Sequence, residues 1–140
     1  MYEIIQKAHS GWAYLVLISL LIAFANALIK RSSQKEFMPH DRKLALLALI
    51  ATHIQLVFGF ILYFVSPYGS IAFGQMSDKT LRLTSLEHPL INIIAIALIT
   101  IGWSKHKKAA DSQAKFKSIA LFYGLGLLLI LSRIPWSLWF

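Results

Sequence analysis

The sequence has no cysteine and only six acidic residues among its 140 positions. Without cysteine the chain has neither a disulfide framework nor a thiolate metal site. Charged residues make up 14% of the chain and apolar residues 57%, whereas soluble domains have about 25% and about 45–50%. The mean hydropathy of +0.63 comes from long uninterrupted apolar runs, which excludes a soluble enzyme.

The few acidic residues also lie outside the apolar runs. Each falls in a loop or at the edge of a run: Glu3, Glu36, Asp41, Asp78, Glu87 and Asp111. We therefore expect no buried carboxylate, which disfavours paired-carboxylate catalysis, a di-iron bundle and a proton pump. The sequence also contains no glycine-rich phosphate loop and no serine nucleophile beside a base.

Four apolar runs are present, and each predicts a membrane-spanning helix. A span needs about 20 residues, and inside hydrocarbon only a helix pairs every backbone N–H and C=O within one segment. The expected fold class is all-α, a transmembrane four-helix up-and-down bundle that forms a single domain over residues 1–140. We expect the helices at about 8–30, 42–66, 87–105 and 115–135, with the first retained rather than cleaved as a signal peptide.

Basic residues favour one orientation of these helices. Ten of the fourteen Lys and Arg residues lie in two connections, between the first and second runs and between the third and fourth. The positive-inside rule places both connections in the cytoplasm and both termini outside. We expect a bacterial cytoplasmic (inner) membrane protein surrounded by lipids, with no nucleic-acid partner despite its net charge of +8. The half-apolar outer segment, about 67–87, is expected to form a short interfacial helix.

Two histidines begin the first and third helices at the same side of the membrane. Those helices run in parallel and lie diagonally across a sequential bundle, so His9 and His88 are expected to meet near the outer face. Two imidazoles that face each other at one depth suit bis-histidine ligation of one haem b. Arg133 is expected beside the propionates, with Arg82 as a weaker candidate, because guanidinium pairs with carboxylates. The alternative for Arg133 is to extend to the lipid headgroups.

Several smaller features surround this expected site. Proline suits the first turn of a helix, so Pro89 predicts that His88 caps the third helix. Gly11, Gly124 and Gly126 either admit a flat ligand or, by the commoner interpretation, allow close helix packing.

The other histidines have less specific surroundings. His53 lies inside the second run, near the bilayer middle and deeper than His9. It is a further cofactor-binding candidate, with four open roles: haem ligation alone, a quinone contact, a proton route, or a hydrogen bond to Ser19. His40 and His106 fall among charged residues and are expected to be solvated.

Four segments resemble a family of small bacterial four-helix membrane proteins described as cytochrome b-like. They are HSGWAYLVL (9–17), DRKLALLALIATHIQLVFGFILYFVSP (41–67), LEHPLINIIAIALITIG (86–102) and KFKSIALFYGLGLLLILSRIPW (115–136). More distantly, a histidine followed by Gln55 and Gly59 on the next helix and a histidine opening the third is similar to one half of haem A synthase. The resemblance implies b-type haem and electron transfer, carried over to His9, His53 and His88. Only three histidines lie within the spans, which implies that one haem is bound. Only one four-helix bundle is present, which implies that full haem A synthase activity is absent.

These observations predict an electron-transfer haem protein rather than a stand-alone enzyme. As an integral membrane b-type cytochrome it would pass electrons near the outer face, with quinone or a larger membrane complex as candidate partners. The alternative is a non-catalytic accessory or structural subunit of a larger respiratory or photosynthetic membrane complex. A copper-handling protein is a third reading, disfavoured because the soft ligands that hold Cu(I) are scarce.

Overall fold

A computed structural model describes residues 1–139, and all regular structure in that range is helical. In chain order the elements are α1 (Tyr2–Ser32), α2 (Pro39–Val65), a 3₁₀ turn (Ser70–Gly74), α3 (Lys79–Arg82), a π-helical turn (Leu83–Glu87), α4 (His88–Lys108), α5 (Ser112–Ser132) and α6 (Trp136–Trp139). Four of the helices are long and apolar enough to cross a membrane. The predicted all-α bundle with four membrane-spanning helices is confirmed.

Two helices are longer than hydropathy predicted. α1 begins at Tyr2, and α3, the π-helical turn and α4 continue without a break from Lys79 to Lys108. The Asp78 side chain caps this third span by accepting a hydrogen bond from the Leu81 N–H at 3.1 Å. Residues 79–87 of the expected interfacial segment are therefore the first part of the third membrane-spanning helix. Hydropathy did not predict this, because the residues there are too polar to score as part of a membrane span.

The four long helices form a ring in which each helix packs on two others. α1 contacts α2 and α5, and α4 contacts the same two helices from the opposite side. α1 and α4 therefore lie across a diagonal of the ring. They run in parallel, because successive long helices alternate in direction. We call the end where α1 and α4 begin the histidine end. The opposite end, which carries ten of the fourteen Lys and Arg residues, is called the basic end.

The core combines small residues on α1 and α2 with larger residues on α5. Small side chains let helices approach closely inside a membrane, and the buried ones here are Ala23, Ala27, Ala45, Ala48 and Ala51. α5 fills the remaining space with Phe116, Ile119 and Tyr123. The Tyr123 hydroxyl donates to the Ala45 carbonyl at 2.8 Å, which ties α5 to α2 across the second diagonal.

The glycines of α5 serve helix packing. A Cβ added at Gly124 would lie 2.6 Å from Phe24 of α1, and one at Gly126 would lie 2.6 Å from Ile99 of α4. Gly11 of α1 faces open space. None of the three borders the histidine rings, so Gly124 and Gly126 follow the commoner interpretation of close helix packing rather than forming a slot for a flat ligand.

Asp41 is a buried carboxylate at the basic end, where none was expected. It is 2% exposed and accepts hydrogen bonds from Lys30 Nζ at 2.6 Å, Asn26 Nδ2 at 2.9 Å and the Met38 N–H at 2.8 Å. Its sequence position at the edge of an apolar run is correct. However, the turn between α1 and α2 brings Asn26 and Lys30 of α1 against the carboxylate, and these contacts bury it.

His106 is also buried rather than solvated, with 1% of its surface exposed. Its ring packs against Trp103 and Phe37, with ring centroids 4.5 Å and 5.4 Å away. The α1–α2 connection carries Phe37 over this ring, and the Phe37 N–H donates to Ser112 Oγ at 2.8 Å. His40 is exposed, as expected.

Asp41→Ala should lower the free energy of unfolding by about 2–4 kcal/mol. Breaking a buried ion pair leaves its partner uncompensated at a cost of about 3–5 kcal/mol, and here Lys30 keeps 25% of its side chain exposed. Unfolding in detergent micelles, followed by circular dichroism, measures the change. Glu36→Ala, an exposed acid in the same connection, should change stability by less than about 0.5 kcal/mol. Equal losses in the two variants would contradict the assignment.

Candidate functional site

His9 of α1 and His88 of α4 face each other at the histidine end. Their ring centroids are 6.2 Å apart and their ring planes are perpendicular. Both residues are partly buried. The two membrane-spanning helices are parallel and begin at the same end, and each brings its histidine to a common depth about two turns after its first residue. The expected meeting of the two imidazoles across the bundle is observed.

His88 is oriented by backbone and amide groups around one of its ring nitrogens. Nδ1 lies 2.9 Å from the carbonyl oxygen of Arg133 and 3.2 Å from Nδ2 of Asn92. Asn92 also donates to the His88 carbonyl at 2.6 Å, so it bonds within its own helix rather than across the bundle. A histidine that donates Nδ1–H to a carbonyl keeps its Nε2 lone pair available, which is the usual arrangement of a metal-ligating histidine.

The π-helical turn before His88 lies next to Pro89, which has no backbone N–H to donate to a carbonyl of that turn. In an α-helix the N–H of residue 89 would donate to the Ser85 carbonyl, and Pro89 has no N–H. The Tyr63 hydroxyl of α2 donates to that carbonyl at 2.8 Å instead. The N–H of His88 reaches Leu83, five residues back, as in a π-helix. The expectation that His88 caps this membrane-spanning helix is therefore wrong, because the helix begins at Lys79 and continues through Pro89.

Gly59 of α2 leaves room for the ring of His9. A Cβ added at Gly59 would lie 3.4 Å from His9 Cε1 and 3.8 Å from His9 Nδ1. One turn away, Gln55 Nε2 donates to the His9 carbonyl at 2.7 Å. His9 Nδ1 and Gln55 Oε1 are buried and have no hydrogen-bond partner among residues 1–139. Unpaired polar atoms in a buried position are costly, and these two atoms are available to pair with a ligand or a water molecule.

Two arginines share one carboxylate beside the histidines. Arg82 Nε lies 3.1 Å from Glu87, and Arg133 Nε lies 3.8 Å from its other oxygen. Arg133 also bonds the Ser132 carbonyl, and 47% of its side chain is exposed. Two guanidinium groups against one carboxylate leave a net positive charge next to His88, which can accept a further anion.

His53 lies apart from the facing pair, on the outside of the bundle. Its Nδ1 is 2.7 Å from the Leu49 carbonyl of its own helix, and its Nε2 is 3.5 Å from Thr100 Oγ1 of α4. The residue is exposed. Of the four open roles, the hydrogen bond to Ser19 does not form, and Ser19 donates to the Val16 carbonyl instead. The site at the histidine end therefore consists of the other two candidate histidines with Arg133.

Three α2 residues complete the site; sequence reasoning named Gln55 and Gly59 only through the resemblance to haem A synthase and missed Tyr63. Gln55, Gly59 and Tyr63 recur every four residues, and this spacing places them on one face of a helix. That face contacts α1 through the first two and the third helix through Tyr63. The four-residue spacing therefore indicated that these residues share one face of α2, although it does not predict which helix that face contacts.

No family model, no curated protein and no solved structure matches this chain. Across residues 1–139, no group of three or more His, Cys, Asp or Glu side chains is placed to hold a metal ion. Two facing histidines provide fewer ligands than a bare zinc ion takes. They are sufficient for an ion whose other positions are filled by a macrocycle.

Tyr63→Phe should lower the free energy of unfolding by about 1–3 kcal/mol, because it removes the hydrogen bond from the Tyr63 hydroxyl to the carbonyl of buried Ser85. Pro89→Ala supplies an N–H at the position that reaches this carbonyl in an α-helix. The double variant should therefore recover part of the loss. Thermal unfolding in detergent of the wild type, both single variants and the double variant gives the coupling energy.

Tyr14→Phe is the matched control. Tyr14 is 48% exposed, and its replacement should change stability by less than about 0.5 kcal/mol. A strictly additive double variant would show that Tyr63 and Pro89 act independently.

Proposed function

We propose that this chain is an integral membrane b-type cytochrome that binds one haem b between His9 and His88 and transfers electrons. The observation that carries the proposal is the 6.2 Å separation of the two ring centroids. A metal bonds a histidine nitrogen at about 2 Å and the ring centroid lies about 1 Å behind it, so two imidazoles on one ion have centroids about 6 Å apart. Perpendicular rings can both contain the line that joins them, so their planes do not oppose shared ligation.

The surrounding groups fit distinct roles in holding the haem. His88 offers Nε2, because the Arg133 carbonyl engages its Nδ1. His9 offers a ring that Gly59 accommodates and whose Nδ1 is buried without a partner among residues 1–139. Arg133 and Arg82 provide the positive charge that the propionates require. When bound, haem iron supplies a one-electron couple, whose potential the two histidines and the local burial would set.

We further propose membership of the small bacterial four-helix cytochrome b-like membrane proteins and residence in the bacterial cytoplasmic membrane. The unequal distribution of Lys and Arg, ten at one end and four at the other, supports an orientation with both termini outside. In that orientation the histidine pair lies near the outer face. Membrane quinone or a larger membrane complex would then exchange electrons with the protein there.

Spectra of the purified protein test the haem assignment. Reduced-minus-oxidised spectra should show a b-type α band, and both His9→Ala and His88→Ala should abolish it, because each removes an axial ligand. His53→Ala is the matched control and should keep the band, since His53 lies outside the pair. A haem-free wild type despite ample haem supply, or loss of the band only in His53→Ala, would refute the assignment.

Gly59→Leu should weaken haem binding without removing a ligand. A larger side chain would press on the His9 ring, which a Cβ at this position already approaches to 3.4 Å. Overpacking costs about 1–3 kcal/mol, which corresponds to an affinity loss of about 5–150-fold. Gly11→Leu is the control because Gly11 faces open space. Haem titration of the two apoproteins gives the comparison, and equal affinities would contradict the placement of His9.

One observation favours the second candidate, a non-catalytic subunit of a larger respiratory or photosynthetic membrane complex. His53 is exposed in the middle of α2, whereas ionisable residues within membrane spans almost always face protein or water. A neighbouring helix of such a complex would cover this residue. Purification in mild detergent distinguishes the two functions: a partner at fixed stoichiometry that His53→Leu removes and His9→Ala retains would favour the subunit.

A further inference from the structure

A groove opens between α4 and α5 at the basic end, far from the histidine pair. It encloses about 330 Å³ and is lined by Lys105, Ala114, Lys117, Ser118, Leu121 and Phe122. The lining is divided along the bundle axis. The two lysines and the serine lie near the helix ends, and the leucine and phenylalanine lie deeper, toward the middle of the bundle.

The lysines of this groove are free to bind an anion. Elsewhere at this end, Lys30 pairs with Asp41 at 2.6 Å and Lys115 donates to a backbone carbonyl at 3.0 Å. Lys105 and Lys117 are both exposed, and within residues 1–139 neither forms an ion pair or a hydrogen bond. Their ammonium groups therefore present two uncompensated positive charges at the mouth of the groove.

The deeper half of the groove is apolar and has a fixed shape. Gly102 of α4 packs so closely on α5 that an added Cβ would lie 2.5 Å from the Cβ of Phe122. This close approach of the helices holds Phe122 in place, while Leu121 beside it is 49% exposed. The groove therefore has an apolar inner part and a cationic mouth.

We propose that this groove binds one anionic phospholipid. Lys105 and Lys117 hold its phosphate together with the Ser118 hydroxyl, and an acyl chain lies along Leu121 and Phe122. The order of charge and apolar surface matches a phospholipid, and basic pockets between membrane helices bind anionic headgroups. A free anion would satisfy only the cationic mouth. The site is independent of haem binding.

Native mass spectrometry of the full chain in detergent, titrated with phosphatidylglycerol or phosphatidylcholine, tests the site. One phosphatidylglycerol should bind in preference to phosphatidylcholine, and inorganic phosphate should not displace it. Lys105→Gln/Lys117→Gln should weaken phosphatidylglycerol binding about 30-fold, because each basic residue contributes about 1 kcal/mol and tenfold corresponds to about 1.4 kcal/mol. Binding of phosphatidylcholine should not change.

Two further variants separate a defined site from a general attraction to charge. Lys35→Gln/Lys43→Gln removes the same charge from the same end but outside the groove, and it should bind phosphatidylglycerol like the wild type. Ala114→Phe fills the groove without changing charge and should weaken binding. Equal losses in the two lysine pairs, displacement by inorganic phosphate, or unchanged binding by a helical Ala114→Phe variant would each overturn the proposal.

Discussion

Inside hydrocarbon every backbone polar group needs a partner from the protein itself, and this requirement shapes the histidine end. Pro89 removes one donor from the third helix, and Tyr63 supplies the replacement from α2. α2 and α4 pack on each other least among the four neighbouring pairs, and at the histidine end this hydrogen bond joins α2 to the π-helical turn that precedes α4. It also fixes the turn from which His88 reaches the Arg133 carbonyl.

The fold and the central pair of the site could be predicted because both follow from one-dimensional patterns. Four apolar runs define four helices, and alternating directions place the beginnings of the first and third at one end. His9 and His88 are near those beginnings, so their meeting required no knowledge of side-chain packing. The position of Arg133 near the end of α5 followed from the same reasoning, although its carbonyl contact with His88 did not.

Burial of polar residues could not be predicted, because it depends on how connections fold over helix ends. Asp41 and His106 stand among charged residues in the sequence, yet the α1–α2 connection covers both. His53 shows the opposite case, since a position inside an apolar run does not reveal whether a side chain faces the core or the membrane. The role of Gly59 became evident only once α1 was placed against it.

The α1–α2 hairpin is synthesised before the other two membrane-spanning helices, so it can form before the bundle is complete. The Lys30–Asp41 ion pair and the Gln55–His9 hydrogen bond join only these two helices, so both can form as the nascent chain leaves the ribosome. His88 follows about 80 residues after His9, a delay of about 4–16 s at ordinary translation rates. During that interval the hairpin offers half of the proposed haem site. Under the proposed function, haem would gain its second histidine ligand only after the third membrane-spanning helix has inserted.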